Sequence, residues 1–225
     1  MFSIFVSVVT LEMESRCIRR LVLANKKNSV LVFAGLAASA LTMGQSLSFY
    51  EESLPTSMNP LYATTMVDIR VNELVMDRLY YHSPIDNGLI SRLVEQWQMS
   101  EGGKAIKLTI KPGIKWHDGT DFSALDVCFT VNAMLDKGTP SPVAAKKREV
   151  FSGCEVQPDN VALIRFTKIF HNPRYHLGFY VMPSHVFEGN TAIQPDHVFA
   201  NRPTGTGPVK GTRGRRGVSF SKVAN

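Results

Sequence analysis

The sequence is poor in the residue patterns that carry catalysis or hold metals. It has three cysteines, and no cysteine pair lies near His171, His176 and His185, whose spacings match no zinc pattern. No Gly-x-Ser-x-Gly motif occurs, and no serine or cysteine has a base close by, so nucleophilic catalysis has no candidate. The loop Gly205-Thr206-Gly207-Pro208 lacks the lysine and following hydroxyl residue of a phosphate-binding loop. Acidic residues are scattered rather than paired, which leaves acid/base hydrolysis without a dyad. Internal repeats and low-complexity linkers are missing. The apolar stretch 30–43 has 14 residues, short of the roughly 20 that a membrane-crossing helix needs. These absences argue against an enzyme, a metal centre, a cofactor and a permanent membrane anchor.

What is present begins with a targeting pattern. Arg16, Arg19, Arg20, Lys26 and Lys27 precede the apolar stretch, and Ala38-Ser39-Ala40 offers a small-x-small cleavage site, the layout of a secretory leader over residues 1–45. Residues 1–12 add a second apolar run ahead of two acids, which is unusual for a leader and makes Met13 an alternative start. A membrane-lying segment that is not removed is the other reading of this region. Cys17 lacks the small-residue context of a lipoprotein cleavage box.

The net charge of +6 divides unevenly: +3 in residues 1–45, −3 in 46–200 and +6 in 201–225. The body is therefore mildly acidic. The basic tail, with Arg213, Arg215 and Arg216, reads as a glycine-flanked, solvated hairpin turn, because no aromatic surface for nucleic acid accompanies it.

Residues 104–134 are the most legible part of the chain. Ile106, Leu108 and Ile110 alternate with Lys107, Thr109 and Lys111, the period of a strand with one wet face. Pro112-Gly113 has the form of a type II turn. A second short alternation sets Ile114 and Trp116 against Lys115 and His117, with His117 on the outward face beside the Asp118-Gly119 turn. Ser123 and Asp126 are spaced as a capping box, and a helix is expected from about residue 124 to 136, burying Leu125, Cys128, Val131 and Leu135. Upstream, Val71, Leu74, Val75, Arg78 and Leu79 have the spacing of a helix stripe. Ser100 to Gly103 and Pro158-Asp159-Asn160 mark turns, the second leading into a strand over 161–166. Cys128 and Cys154 read as core-packing residues, with a disulfide left open.

The wording KLTIKPGIKWHDGTDFSALDV closely resembles the signature of the family 5 extracellular solute-binding proteins, the peptide and nickel receptors of ABC importers. LVMDRLYYHSPIDNGLISRLVEQWQMSEGGK, YVMPSHVFEG and RPTGTGPVKG resemble further stretches of that family in the same order, so the likeness covers residues 46–225. It implies an α/β fold, periplasmic binding protein-like (type II, cluster C-like). It also implies a partial protein: a first lobe with an inserted small α/β subdomain, the second lobe missing. The boundaries implied are 46–62 for the first part of the main lobe, 63–200 for the insertion and 201–225 for the return into the main lobe. The glycines of the 205–208 loop would there permit close backbone approach.

The function implied is capture of peptides in the periplasm by a monomeric receptor, for delivery to an ABC permease at the inner membrane. Nickel, an oligosaccharide or an opine-like solute are alternatives of the same class; a ligand-free interaction module and a secreted enzyme are alternatives of others. Phe49, Tyr50, Glu51 and Glu52 match where the family lines its cleft, and the two acids would meet a cationic group such as a peptide amine, unless they are simply solvated loop acids. With half the cleft walls absent, this chain alone should bind poorly.

Overall fold

The computed structural model describes residues 9–11, 45–47, 53–86, 88–214 and 217–222. Strands β1 (Val9–Leu11) and β2 (Gln45–Leu47) come first. Helix α1 (Met66–Val75) is started by a capping box: the Thr65 hydroxyl accepts from Asp68 N–H at 3.1 Å, and the Asp68 carboxylate accepts from Thr65 N–H at 3.0 Å. A two-residue pair, β3 (Tyr81–His82) with β4 (Leu89–Ile90), follows. Next come β5 (Val94–Ser100), a 3₁₀ turn at Glu101–Gly103 and β6 (Ala105–Ile110). Helix α2 (Ala124–Leu135) has the expected Ser123/Asp126 capping box. Helix α3 (Pro142–Arg148) starts from Ser141, with proline at its first position where no N–H is missed. Strands β7 (Phe151–Gln157), β8 (Val161–Phe166), β9 (Val209–Gly214) and β10 (Gly217–Lys222) complete the order.

The central sheet is antiparallel, in the order β5-β6-β8-β7. Its register sets Ile106 opposite Ile164 and Leu108 opposite Ala162, so that the same face of both strands is apolar and each of these residues is fully buried. Helix α2 packs on this sheet. Burying a leucine, isoleucine or phenylalanine side chain stabilises a fold by about 1.5–3 kcal/mol, and Phe151, Phe166 and Phe179 extend the same layer with ring centroids 5.8 Å apart. The opposite face is polar around Arg165, which pairs with Glu101 at 2.9 Å and Glu155 at 3.0 Å. This is the division between core and water that the alternation in β6 requires.

A second sheet has the order β2-β1-β10-β9. Strand β1 is parallel to β10 and antiparallel to β2, and β9 and β10 form a hairpin from Val209↔Lys222 to Gly214↔Gly217. The basic hairpin reading of the tail holds in its pairing. Arg215 and Arg216 lie outside the described residues, and Arg213 is engaged, donating to the Thr56 carbonyl at 3.0 Å. Strand β1 falls within the stretch read as a leader, which the sequence pattern did not signal.

Four expectations change. Helix α1 stops at Val75, with Met76 extended, so Arg78 and Leu79 lie beyond it, on a segment that bridges Arg78 to Tyr180. The second alternation forms only an isolated bridge, Lys115↔Asp121. Leu125 is exposed because a residue seven positions on lies only about 20° around a helix, which puts Leu125 on the side of exposed Asn132. Cys128 and Cys154 both sit on the core side, as expected, but they face each other across α2 and β7 and form a disulfide, with Cα atoms 4.9 Å apart.

The disulfide ties α2 to an edge strand and closes a loop of sequence separation 26; a loop of this length stabilises by about 3 kcal/mol in the chain-entropy account. Reduction, or the double change Cys128→Ala/Cys154→Ala, is therefore expected to lower the thermal midpoint by roughly 6–12 °C. Equal melting with and without reductant would remove the bond from the account of stability.

A cationic cleft and the glycine loop beside it

The residues expected to line a ligand site, Phe49, Tyr50, Glu51 and Glu52, lie outside the described residues. Among the described residues, a concavity in which two cations converge lies elsewhere. It is a cleft of about 210 Å³ between the approach to α1, α3 and the 178–180 segment, lined by Leu61, Ala63, Ile69, Met134 and Val143 with Arg78, Lys147, Phe179 and Tyr180.

Local interactions fix each wall. Ser141 caps α3 by accepting from Ala144 N–H at 3.0 Å, and its hydroxyl donates to the Leu61 carbonyl, which ties the helix to the loop ahead of α1. The 177–181 segment is held against 77–80 by Leu79 N–H to Phe179 O at 2.8 Å and Tyr80 N–H to Leu177 O at 3.2 Å. Arg78 is thereby placed over the Tyr180 ring, its guanidinium carbon 4.6 Å from the centroid. Its Nη2 donates to Tyr180 Oη at 2.8 Å and to Glu73 at 2.7 Å. Burial pushes the Tyr180 phenol up to about 12, with Arg78 working against the rise. The Tyr180 hydroxyl donates to the Ile69 carbonyl at 3.2 Å.

Lys147 reaches into the cleft from the last turn of α3. Its ammonium donates to the His176 carbonyl at 2.8 Å and lies 5.7 and 5.8 Å from the Phe151 and Phe179 ring centroids. Burial, reinforced by the like charge of Arg78, pulls the Lys147 ammonium below the usual lysine range. An apolar cleft with a few convergent polar groups and a perturbed titratable residue has the makings of a binding site. Nothing in it pairs a nucleophile with a base. A larger concavity of about 500 Å³ runs past Leu125, Phe129, Cys154 and Val156, with His185 and Glu188 on its lining; His185 is committed to Asp118.

The Gly205-Thr206-Gly207 loop lies against the end of α1. A Cβ on Gly205 would stand 1.8 Å from the Val75 carbonyl oxygen, and one on Gly207 2.7 Å from that of Leu74, so the close approach expected of these glycines is a steric requirement. Gly207 N–H donates to Val75 O at 3.0 Å. Thr206 donates to Asp77 Oδ2 at 2.9 Å, and Arg92 pairs with Asp77 Oδ1 at 3.0 Å.

His117 completes the junction and corrects the outward placement expected of it. Its Nδ1 accepts from Gly205 N–H at 3.1 Å, its Nε2 lies 2.8 Å from Gly207 O, and its own N–H donates to Gly205 O at 2.8 Å. Gly205 must be the donor to Nδ1, which assigns the proton to Nε2 and a neutral ring. Burial lowers the His117 pKa in agreement. The other histidines do not converge: His185 pairs with Asp118 at 2.7 Å, and His176 packs on Phe170, with ring centroids 4.2 Å apart. Among the described residues no group of three or more His, Cys, Asp or Glu could hold a metal ion.

Residues 88–225 match the family described as bacterial extracellular solute-binding proteins, family 5 Middle. The di/tripeptide-binding protein 1 of Pseudomonas aeruginosa (strain UCBPP-PA14) is 31% identical over 119 residues, 50% of this chain and 22% of that protein. The oligopeptide-binding protein AppA of Bacillus subtilis (strain 168) is 27% identical over 178 residues, 76% of this chain and 32% of its own length. The solved structure of AppA in complex with a nonapeptide superposes with a TM-score of 0.66 at 22% identity, over 76% of this chain and 38% of that one. NikZ from Campylobacter jejuni in complex with Ni(L-His) gives a TM-score of 0.61 at 20% identity, over 75% and 37%. The α/β fold is that of the periplasmic binding proteins, and the chain belongs to solute-binding family 5. It spans about a fifth to a third of the length of the curated relatives it matches.

The junction makes two expectations for stability. Gly205→Ala should cost several kcal/mol, whereas Gly113→Ala, where a Cβ would meet nothing within 4 Å, should cost about 1–2 kcal/mol for its positive φ; comparable losses in urea unfolding would contradict the packing. Because His117 is held neutral, the unfolded chain takes up its proton first on acidification. Stability from this group is complete above the ordinary histidine value near 6.5 and falls as the pH drops below it toward the lowered folded value. His117→Gln should flatten that acid slope relative to the parent chain; an unchanged slope would place the titration elsewhere.

Proposed function

We propose that this chain is the solute-binding component of an ABC importer. It captures peptides in the periplasm as a monomer and passes them to the permease of the inner membrane. The observation that carries this reading is the cleft at Lys147, Phe179 and Tyr180, set in a family 5 fold. Peptides are favoured as solute because the sequence relatives are named for di-, tri- and oligopeptides. The nickel–histidine complex of NikZ supplies the main competing solute, and an oligosaccharide or an opine-like solute belongs to the same class.

The intact receptor would close two lobes on its solute by a hinge motion. Affinity of this chain for a solute should be weak, because the cleft is small and open to solvent. Titration of the 225-residue chain followed by ¹H–¹⁵N NMR tests the reading. Di- and tripeptides should shift the amides of Gly178, Phe179 and Tyr180, while the nickel–histidine complex and a neutral oligosaccharide should leave them in place. Shifts from nickel–histidine alone would replace peptide by metal chelate as the solute.

A further inference from the structure

The two sulfurs of the Cys128–Cys154 disulfide have unequal surroundings. Cys128 is 3% exposed, within α2. Cys154 is half-buried on β7, which is an edge strand of the central sheet. Both lie on the lining of the concavity of about 500 Å³, a volume within the roughly 300–1,000 Å³ of sites that hold small molecules. A disulfide is attacked by a thiolate that can reach one of its sulfurs, and here the reachable sulfur is that of Cys154.

The rest of the lining narrows the class of thiol. Leu125 and Val156, both exposed, form an apolar lip. Glu188 stands at the end of the 184–187 turn, held at φ 51°. It is exposed and enters no ion pair among the described residues. His185 on the same lining is committed to Asp118. A carboxylate without a partner beside a reachable disulfide favours a thiol that also carries an ammonium group.

We infer that Cys154 is a thiolation site for small aminothiols, the class of cysteine and cysteinyl peptides. The thiol loses its proton to water, and its thiolate attacks Cys154 Sγ. A new S–S bond forms as the Cys128–Cys154 bond breaks; the electron pair leaves on Cys128 Sγ, which takes a proton from water. One thiol and one disulfide thus become one mixed disulfide and one thiol, with no oxidant consumed. Cys128 then packs as a small apolar side chain, and its burial keeps the thiolate fraction low, which slows its return onto the adduct. While the adduct lasts, the tie between α2 and the edge strand is open. Neither the cleft at Lys147 nor its solute takes part in this chemistry.

The test exposes the full chain to cysteamine, quenches with acid, unfolds it in urea with N-ethylmaleimide and maps the peptides by mass. Cysteamine should sit on Cys154 in about tenfold or greater excess over Cys128, with the maleimide on Cys128. The rate should rise in proportion to cysteamine and be unchanged by urea below the unfolding transition. An adduct chiefly on Cys128, no adduct on the folded chain, or a rate that ignores cysteamine and climbs with urea would overturn the site. At equal thiolate concentration, cysteamine should react about two- to fivefold faster than 3-mercaptopropionate, the range of an exposed ion pair. Glu188→Gln, at an exposed position, should remove that difference. Equal rates with the parent chain, or a difference that survives Glu188→Gln, would overturn the choice of aminothiols.

Discussion

The described structure depends on a buried carboxylate placed at the third position of a helix and supplied with donors from segments distant in sequence. Asp126 is 2% exposed. One oxygen accepts from Ser123 N–H at 3.0 Å and Trp116 Nε1–H at 3.2 Å, the other from Ser184 N–H and hydroxyl at 2.9 and 2.8 Å. A single side chain thus caps α2, anchors the indole of the preceding turn and fixes the start of the 184–187 turn. The same helix reaches that strand of chain again one turn later, where Thr130 accepts from Met182 N–H at 2.9 Å. Asp68 repeats the device on α1. Burial alone would raise its pKa, but donors from Thr56, Ser57, Thr64 and Thr65 hold it below the usual carboxylate range. Each helix start is therefore a long-range clasp as well as a cap.

These clasps locate the cleft and the junction. Asp68 fixes the loop that carries Leu61 and Ala63, and Ser141 ties the same loop to α3, so the wall bearing Lys147 is referenced to the start of α1. The other end of α1 is set by the glycine loop, where Val75 O accepts from Gly207 N–H. Removing either constraint would move the two walls of the cleft independently. Helix α1 acts as the ruler between the cleft and the hairpin of β9 and β10, which it touches directly.

What is periodic or local is legible in the sequence. Strands β6 and β8, the Ser123/Asp126 cap and the turns at Pro112-Gly113 and Pro158-Asp159-Asn160 all follow from alternation, capping chemistry and turn residues, and the structure has them at or within a residue of their expected bounds. What a partner far along the chain decides is not. His117 has the alternation of an outward residue, yet it turns toward Gly205 and Gly207, some ninety positions later, and no local pattern encodes that. Arg78 and Leu79 continue the helical spacing of α1, but the 177–181 segment takes them for its own pairing instead. Local pattern puts Cys128 and Cys154 on the core side of their elements, but the packing of α2 on β7 that sets one against the other is not local.

The cleft was the least legible feature, for an electrostatic reason. Lys147 stands in a Lys-Lys-Arg run at the C-terminal end of α3, where basic residues complement the helix dipole and are ordinarily solvated. Its neighbours behave differently: Lys146 is exposed, and Arg148 folds back to donate to the carbonyls of Asp136 and Thr139 at 2.6 and 2.7 Å. Only Lys147 is turned onto Phe151 and Phe179, because a seven-residue helix laid against the sheet edge presents one of three consecutive positions inward. The resulting asymmetry runs through the molecule. Its buried anions are supplied by backbone N–H groups and hydroxyls, groups the fold has in abundance at helix starts and turns. Lys147 instead donates to a backbone carbonyl, that of His176, while Glu73 is committed to Arg78.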